Sequence, residues 1–326
     1  MKVLIFFIPI IVLSVILTGV SSYLVAVNQL RNNAYSLLND TLLQTNVILN
    51  NDFTSVLEQL EKIVGSDAYK NLMTEKLKSI SNPTNPDYND VIEIHNLFNE
   101  IYNRNFQMID SIYMDLNTGG EFSLIPNLIP KKIGVDLHTW LGKYSGSNDR
   151  YYWLNDHVDH VFDTVQARDV MSSFKIIGNQ NSPANGLLLM NLKTDYFINQ
   201  FQNVKISPNG LLALISPDKA IFSKQVKANN DIGDYGLNFL RKNAGNNGSF
   251  NIKSKNGERL IVVFNTISAN HWVLAAIVPE SDITVEASQI KYISLAIIVL
   301  LLFVSSLIAA WFANTISNPI RYLSRR

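Results

Sequence analysis

The feature that most constrains this chain is a pair of apolar stretches, one near each end, that contain no charged residue. Residues 293–312 form one stretch of twenty residues, and residues 3–30 form the other. A helix of about 20 apolar residues crosses a hydrocarbon core about 30 Å thick. Each stretch is therefore long enough to span a membrane, and whatever folds between two such spans lies on one side of that membrane.

The N-terminal stretch has a second interpretation, as a cleaved signal peptide. Val20, Ser21 and Ser22 would provide a small-residue cleavage site. The apolar core of a signal peptide has about 7–15 residues, whereas this stretch continues past Tyr23 and Val27. We therefore interpret residues 1–30 as an uncleaved transmembrane helix.

Basic residues orient the second span, which we place at residues 290–313. Arg321, Arg325 and Arg326 follow it, and an excess of basic residues beside a membrane helix favours the cytoplasmic side. The chain is then expected to cross the cell membrane twice, with both ends inside and residues 31–291 extracellular.

The composition excludes several classes of function. Lysine and arginine number 27, as do aspartate and glutamate, so no net field favours nucleic acid or an acidic substrate. The chain has no cysteine, which rules out disulfides, thiolate metal ligands and a cysteine nucleophile. A cysteine-free exported domain that does not rely on disulfides is compatible with this composition.

A long helix is predicted to continue out of the first span. Residues 28–64 contain neither proline nor glycine, and Gly65 is expected to end or bend the helix. Its last apolar residues are spaced by 4, 3, 4 and 3, which places them on one face; they are Leu49, Phe53, Val56, Leu60 and Ile63. This seam has two interpretations, as packing of the helix on its own domain or as the contact of a parallel homodimer.

The remaining pattern predicts an α+β body of antiparallel strands and short helices. Period-two alternation and turn residues indicate strands at 112–116, 121–125, 158–167, 172–177, 187–192, 211–216, 220–224, 250–254, 259–266 and 271–278. Helical periodicity is found around residues 91–101, 195–203 and 236–243, and Thr194 is a candidate N-cap. The polar residues 280–291 predict a helical lead into the second span. Pro279 closes the last strand, because proline cannot donate a ladder hydrogen bond.

Few residues of this chain suggest catalysis or the binding of a cofactor or metal. No common hydrolase, zinc-protease or nucleotide-binding motif is found, so we predict no catalytic activity and no cofactor. The run from Asp156 to His160 contains two histidines and two aspartates. These side chains would converge on a metal only if the run were helical, since a strand places His157 and His160 on opposite faces. We therefore predict no metal site there.

An aromatic stretch around an arginine is the better candidate for a ligand site. Arg150 is followed by Tyr151, Tyr152 and Trp153, and Trp140 precedes it. A guanidinium can bind a carboxylate, and aromatic walls exclude water from a small polar ligand. The alternative is that these aromatic residues are ordinary core. Arg168 and Asp169 are further candidates: a buried Arg–Asp pair would be structural, whereas an unpaired Arg168 would favour an anionic ligand.

Three features together resemble the double-Cache sensor region of bacterial transmembrane receptors, and most of all the YesM-type sensor histidine kinases. The first is the long helix that follows the first span. The second is the strand ending in proline at residues 272–280, and the third is residues 316–323, which resemble the opening of a HAMP domain. Within that opening, Pro319 suits the first turn of a helix, and Ile320 and Leu323 begin a coiled-coil spacing.

The resemblance implies a domain organisation. It predicts an α+β fold with a long N-terminal helix and two Cache (PAS-like) antiparallel-sheet units between two transmembrane helices. The implied segments are the long extracellular helix at 31–64, the membrane-distal unit at 65–204, the membrane-proximal unit at 205–285 and the start of HAMP at 314–326. The ligand would bind in the distal unit.

The resemblance also implies a ligand site. Amino-acid-binding relatives have an Arg-x-Trp-Tyr run and a late aspartate, whereas this chain has Arg150-Tyr151-Tyr152-Trp153 and, at the corresponding late position, Asn191. The order and the charge therefore differ from that pattern. The predicted ligand-binding residues are Tyr113, Trp140, Arg150, Tyr152, Trp153, Arg168, Asp169 and Asn191.

The function implied is extracellular ligand sensing and transmembrane relay in a two-component sensor histidine kinase. The expected partners are a small extracellular ligand, the membrane, a second copy in a parallel homodimer and, through an output domain, a response regulator. Alternative outputs are a chemoreceptor, a diguanylate cyclase or a membrane-bound AraC-type transcription regulator. A membrane-anchored binding protein or exoenzyme is the alternative of a different class.

Overall fold

A computed structural model describes residues 2–79, 88–116, 120–126, 130, 132–134, 151–159, 161–164, 167–177, 186–224, 226–227 and 231–312. Six helices lie in these ranges: α1 (Lys2–Gly65), α2 (Asp67–Ser79), α3 (Tyr88–Asn105), α4 (Thr194–Gln202), α5 (Gly233–Lys242) and α6 (Glu280–Phe312). The first and last are much the longest, and the remaining elements are packed between and beside them.

Helix α1 is continuous for 64 residues and ends at Gly65, as the sequence predicts. The first span and the long helix are thus one element, with no break near residue 30. An apolar window near its N-terminus is long enough to cross a membrane. A second apolar stretch, Tyr292–Ile308, lies within α6. The polar helix α2 was not predicted, because it buries only Ala68, Tyr69 and Leu72.

The first sheet has five antiparallel strands in the order β2-β1-β7-β6-β4. Its strands are β1 (Ile109–Asp115), β2 (Glu121–Leu124), β4 (Tyr152–Val158), β6 (Asp169–Ile177) and β7 (Gly186–Lys193). A small additional pair, β3 (Lys132–Ile133) and β5 (Phe162–Asp163), is also antiparallel.

The second sheet also has five antiparallel strands, in the order β10-β11-β12-β8-β9. Its strands are β8 (Leu211–Ile215), β9 (Ala220–Phe222), β10 (Gly248–Lys253), β11 (Arg259–Thr266) and β12 (Val273–Pro279). The predicted α+β class with a long N-terminal helix and two antiparallel sheets is therefore confirmed.

Two local predictions are wrong. The strand expected at 158–167 is replaced by β4, which ends at Val158, because Asp159 turns the chain there by accepting hydrogen bonds from the backbone N–H groups of Val161 and Phe162. Thr194 does not cap α4. The N-cap is Lys193, and the Thr194 hydroxyl instead donates to Asp156 Oδ1 at 3.0 Å.

The apolar seam of α1 packs on the two sheets of its own chain. Leu49, Phe53, Val56 and Leu60 are all fully buried in one core that includes residues of both sheets. The interpretation of this seam as a dimer contact is therefore wrong. The physical reason is that both sheets present an apolar face to the helix, and that burial already occupies the whole seam.

Polar residues on α1 hold a turn of the second sheet. Asn46 Nδ2 donates to the carbonyl oxygen of Thr266 at 3.2 Å, and Asn50 Oδ1 accepts from the backbone N–H of Ala269 at 3.0 Å. These bonds explain why the apolar periodicity of α1 is interrupted at Asn46. The same turn contains His271, which has a left-handed φ of 58°.

Helices α1 and α6 run antiparallel beside each other. Near the sheets, Arg31 forms an ion pair with Glu280; further along, Gly19 faces Ile298. A Cβ at Gly19 would lie 2.4 Å from Ile298 Cδ1, so a larger residue at this position would require the Ile298 side chain to move. Small residues allow close packing of membrane helices in the same way.

Candidate functional site

The face of the first sheet directed away from α1 contains a row of aromatic and apolar residues. Tyr113 pairs with Leu189, Leu189 with Phe174, and Phe174 with Tyr152, across four strands. The rings of Tyr152 and Phe174 are stacked with centroids 5.0 Å apart. The structure thus brings together two of the predicted ligand-binding residues, Tyr113 and Tyr152, on one face.

A polar row lies next to the aromatic row on the same face. Ser111, Asn191 and Ser172 are paired across β1, β7 and β6, and all three are almost completely buried. Ser172 Oγ donates to Asn191 Oδ1 at 2.6 Å, and Asn191 Nδ2 donates to Ser111 Oγ at 3.1 Å. The predicted residue Asn191 is therefore held in one orientation by its two neighbours.

His157 extends the polar row to the edge strand β4. Its Nδ1 donates to the carbonyl oxygen of Asn155 at 2.8 Å, and its Nε2 lies 3.4 Å from Ser172 Oγ. Because a carbonyl can only accept, Nδ1 must hold a proton. His157 thus lies on a strand, next to the polar row. Among the residues that the structure describes, no group of acidic and histidine side chains could hold a metal ion.

Tyr113 is enclosed by the small sheet of β3 and β5. Its ring meets that of Phe162 edge-on, with centroids 6.2 Å apart, and the residue is only 1% exposed. Gly134 follows β3 with φ 107°, and a Cβ there would lie 3.3 Å from Tyr113 Oη. Glycine at this position satisfies both the left-handed backbone and the close approach to the phenol.

Trp153 lies on the opposite face of the sheet from Tyr152, since successive strand residues alternate. Its ring packs edge-on against Phe53 of α1, with centroids 5.0 Å apart, and it also lies near Trp272, at 6.3 Å. Two predicted ligand-binding residues, Tyr152 and Trp153, thus lie on opposite faces, and Trp153 packs against the core between the sheets.

Arg168 is paired with two aspartates. One guanidinium nitrogen lies 2.7 Å from Asp110 Oδ2, and the other binds Asp159. All three side chains are largely buried. This arrangement corresponds to the structural alternative for Arg168, because Asp159 also holds the turn between β4 and β5. Burial raises the pKa of the Asp110 carboxyl despite the opposing effect of Arg168.

A polar cleft of about 740 Å³ adjoins the Arg168 cluster. Asp169 lines it together with Arg168 and Asp110, and the first residues of α4 complete the wall. Tyr113, Tyr152 and Asn191 are not among its lining residues. The structure therefore places Arg168 and Asp169 together, but apart from the aromatic face. Trp140 and Arg150 lie outside the described residues, as does His160.

Sequence reasoning missed Ser111, Ser172, Phe174 and His157 as members of this face. The strand that contains Ser172 and Phe174 was predicted, whereas the strand predicted at 112–116 begins one residue after Ser111. Alternation along each strand would have separated the two faces. The pairing register was not available from the pattern, however, and only the register aligns Ser111 with Asn191 and Ser172.

No protein-family profile and no curated protein sequence matches the chain. Solved structures do resemble it. The periplasmic sensory domain of the Campylobacter jejuni chemoreceptor Tlp1 has a TM-score of 0.57 at 14% identity, over 78% of this chain and 98% of that one. The ligand-binding domain of Mlp24 with asparagine has a TM-score of 0.50 at 16% identity, over 79% and 99%.

A third similar structure is the ligand-binding domain of the Pseudomonas fluorescens chemoreceptor CtaA in complex with L-isoleucine. Its TM-score is 0.50 at 14% identity, over 79% of this chain and 98% of that one. At such low identities the likeness concerns the fold. Over 78–79% of its length the chain thus has the fold of these sensory and ligand-binding domains.

Proposed function

We propose that this chain is the extracellular ligand-sensing and transmembrane-relay region of a bacterial receptor of the double-Cache type. The observation that supports the proposal best is the arrangement of two antiparallel sheets on one helix that continues into an apolar span. The fold of the chain is similar to that of sensory and ligand-binding domains of chemoreceptors. The antiparallel pairing of α1 with α6 supports a two-pass topology with residues 31–291 outside.

The proposed domain organisation follows the predicted boundaries. Residues 65–204 form the membrane-distal unit and residues 205–285 the membrane-proximal unit, with the start of a HAMP domain at 314–326. The proposed output is a histidine kinase acting on a response regulator, as in YesM-type receptors. A chemoreceptor output has equal support from the fold, since the similar structures named above include chemoreceptor domains. The region itself is proposed to be non-enzymatic.

The proposed ligand is a small polar molecule bound at the aromatic face of the first sheet. Tyr113, Tyr152 and Asn191 lie on this face, and Arg150 and Trp140 are proposed to complete the site. Mlp24 and CtaA bind asparagine and isoleucine, respectively, which makes amino acids the first compounds to test. Asn191 is neutral and already bonded to Ser111 and Ser172, so organic acids are tested in parallel.

The proposed homodimer requires a different surface from the buried seam. Leu37, Leu43, Val47 and Ile48 are 42–65% exposed. At about 100° per residue they lie opposite the buried seam of α1. Exposed apolar residues grouped on one helix face are typical of a surface that contacts a partner. We propose that a second copy of the chain packs against this face.

Binding to the full chain in nanodiscs, measured by calorimetry against amino acids, organic acids and sugars, tests the proposal. Arg150→Ala is expected to weaken binding of an anionic ligand by about 2–5 kcal/mol, because a desolvated charge loses its partner. Arg104→Ala, an exposed arginine on α3, is the matched control and should leave binding unchanged. If Tyr152→Ala and Arg150→Ala both bind the identified ligand like the wild type, the proposed site is wrong.

A further inference from the structure

Strand β4 contains an irregularity that directs side chains toward the second sheet. Its pairing with β6 shifts register between Leu154 and His157, and such bulges re-aim side chains. Asn155, in this bulge, is 8% exposed. Its Nδ2 donates to Ser216 Oγ at 3.0 Å and to the carbonyl oxygen of Lys219 at 3.4 Å. Both acceptors belong to the turn between β8 and β9.

The neighbouring residue, Asp156, adds two more bonds. Its carbonyl oxygen accepts from Lys219 Nζ at 2.6 Å, and its carboxylate accepts from Thr194 Oγ1 at the start of α4. From the other side of the turn, Arg241 of α5 donates from Nε to the carbonyl oxygen of Ser216 at 3.1 Å. The bulge of the first sheet is thus bonded to a turn that is itself anchored in the second unit.

An aromatic contact reinforces this junction on the inner face of β4. Phe53 of α1 lies 5.0 Å from Trp153 and 5.7 Å from Trp272 between ring centroids, both edge-on. Phe197 of α4 stacks on Phe53 at 5.0 Å. Rings from the long helix, both sheets and α4 therefore meet at one point.

The same strand contributes to the proposed ligand face. Tyr152 stacks on Phe174, and His157 adjoins Ser172 of the polar row. Because β4 is an edge strand of the first sheet, only β6 among the described strands of that sheet pairs with it. A displacement of Tyr152 or His157 would act directly on Asn155 between them.

We propose that β4 couples the two sheets, so that a change at the aromatic face of the first sheet alters the β8–β9 turn through Asn155. The direction of the signal rests on the proposed sensing function, whereas the coupling does not. Asn155 is thus a positioning residue that transmits a displacement, and Trp153 supports it. The coupling would supplement the route through α1, which contacts both sheets.

Hydrogen exchange of the full chain in nanodiscs, followed by mass spectrometry, tests the coupling without a ligand. Asn191→Ala loosens the polar row of the first sheet and serves as the probe. With Asn155 present, Asn191→Ala should increase the rate of amide hydrogen exchange in residues 211–224 by about threefold or more, as expected for energetically coupled neighbours. In an Asn155→Ala background the additional effect of Asn191→Ala on these amides should vanish.

Ser216→Ala removes the acceptor from the other unit and should abolish the effect in the same way, which keeps the test valid if Asn155→Ala fails to fold. Asn105→Ala is the matched control, because its Nδ2 donates within α3, to the carbonyl oxygen of Ile101; combined with Asn191→Ala it should leave the threefold effect intact. An effect of Asn191→Ala that survives both Asn155→Ala and Ser216→Ala, or is absent from the start, would overturn the inference. If a ligand binds but the exchange effect is absent, the proposed sensing function is supported and this inference is wrong. If the exchange effect is present but no ligand binds, this inference is supported and the proposed sensing function is not.

Discussion

At the scale of single residues, the pairing of Arg168 with two aspartates has the clearest energetic consequence. Asp159 binds the guanidinium and two backbone N–H groups, whereas Asp110 binds the guanidinium and is largely desolvated. One cation shared by two buried carboxylates leaves an excess negative charge. The two aspartates are therefore expected to contribute very differently to stability.

Replacement of these aspartates by asparagine should separate their roles. Asp159→Asn is expected to lower the free energy of unfolding by about 1.5–3 kcal/mol, because the charged bond of a fully buried carboxylate to Arg168 is lost, although the amide Oδ1 can still accept from the two backbone N–H groups. Asp110→Asn should lower it by about 1 kcal/mol or less, since Arg168 keeps Asp159 as its partner. Denaturant unfolding of the two variants measures this contrast, and equal losses would contradict it.

The raised pKa of Asp110 predicts a pH dependence with a definite sign. Burial raises the pKa above its ordinary value of 3.8, so the folded state binds this proton more tightly than the unfolded state. The stabilisation is complete below pH 3.8 and is lost as the pH rises through the folded-state pKa. The unfolding free energy of the wild type relative to Asp110→Asn should therefore fall with rising pH; a constant or rising difference would be inconsistent with the burial of this carboxyl.

The sequence is compatible with two roles for Arg168, a structural ion pair and the binding of an anionic ligand, but does not decide between them. Its partners Asp110 and Asp159 lie 58 and 9 residues away, and only the folded sheet brings them together. The same limit applies to Trp153, because alternation separates it from Tyr152 only once a strand is assigned there. The residue types thus indicated candidate site residues, and only the tertiary contacts show which of them have a structural role.

At the scale of elements, α1 organises the molecule by packing on both sheets along one seam. Phe53→Ala should lower the unfolding free energy by about 3–5 kcal/mol, because it creates a cavity at the aromatic junction. Phe106→Ala, at an exposed position just after α3, should change it by about 0.5 kcal/mol or less. Thermal unfolding of both variants in detergent provides the comparison, and similar losses would show that the seam is not the principal core.

The exposed face of α1 gives a prediction about assembly. Single cysteines can be introduced without interference, since the chain has none. Val47→Cys and Leu37→Cys should form cross-links between subunits in membranes, whereas the fully buried Leu49→Cys should not. Cross-linking at Leu49→Cys that equals that at Val47→Cys would exclude the proposed dimer surface.

At the scale of the whole molecule, the sequence predicted the long helix, most strands and the α+β class. These features depend on local periodicity, which a single sequence contains. The order of strands within each sheet, the polar row and the bonds between β4 and the β8–β9 turn depend on long-range pairing, and no local pattern predicts them. The two interpretations of the α1 seam stayed open for the same reason, because the sequence cannot tell which partner covers an apolar face.

We propose that both sheets lie outside the cell between two membrane crossings. Labelling of intact cells with a membrane-impermeant thiol reagent tests it most directly. A cysteine at Asn247, in the second sheet unit, should react on intact cells, whereas one at Ser324 should react only after the cells are opened. Labelling at both positions on intact cells, protection of Asn247→Cys, or a mature protein that begins near Tyr23 would contradict the two-span account.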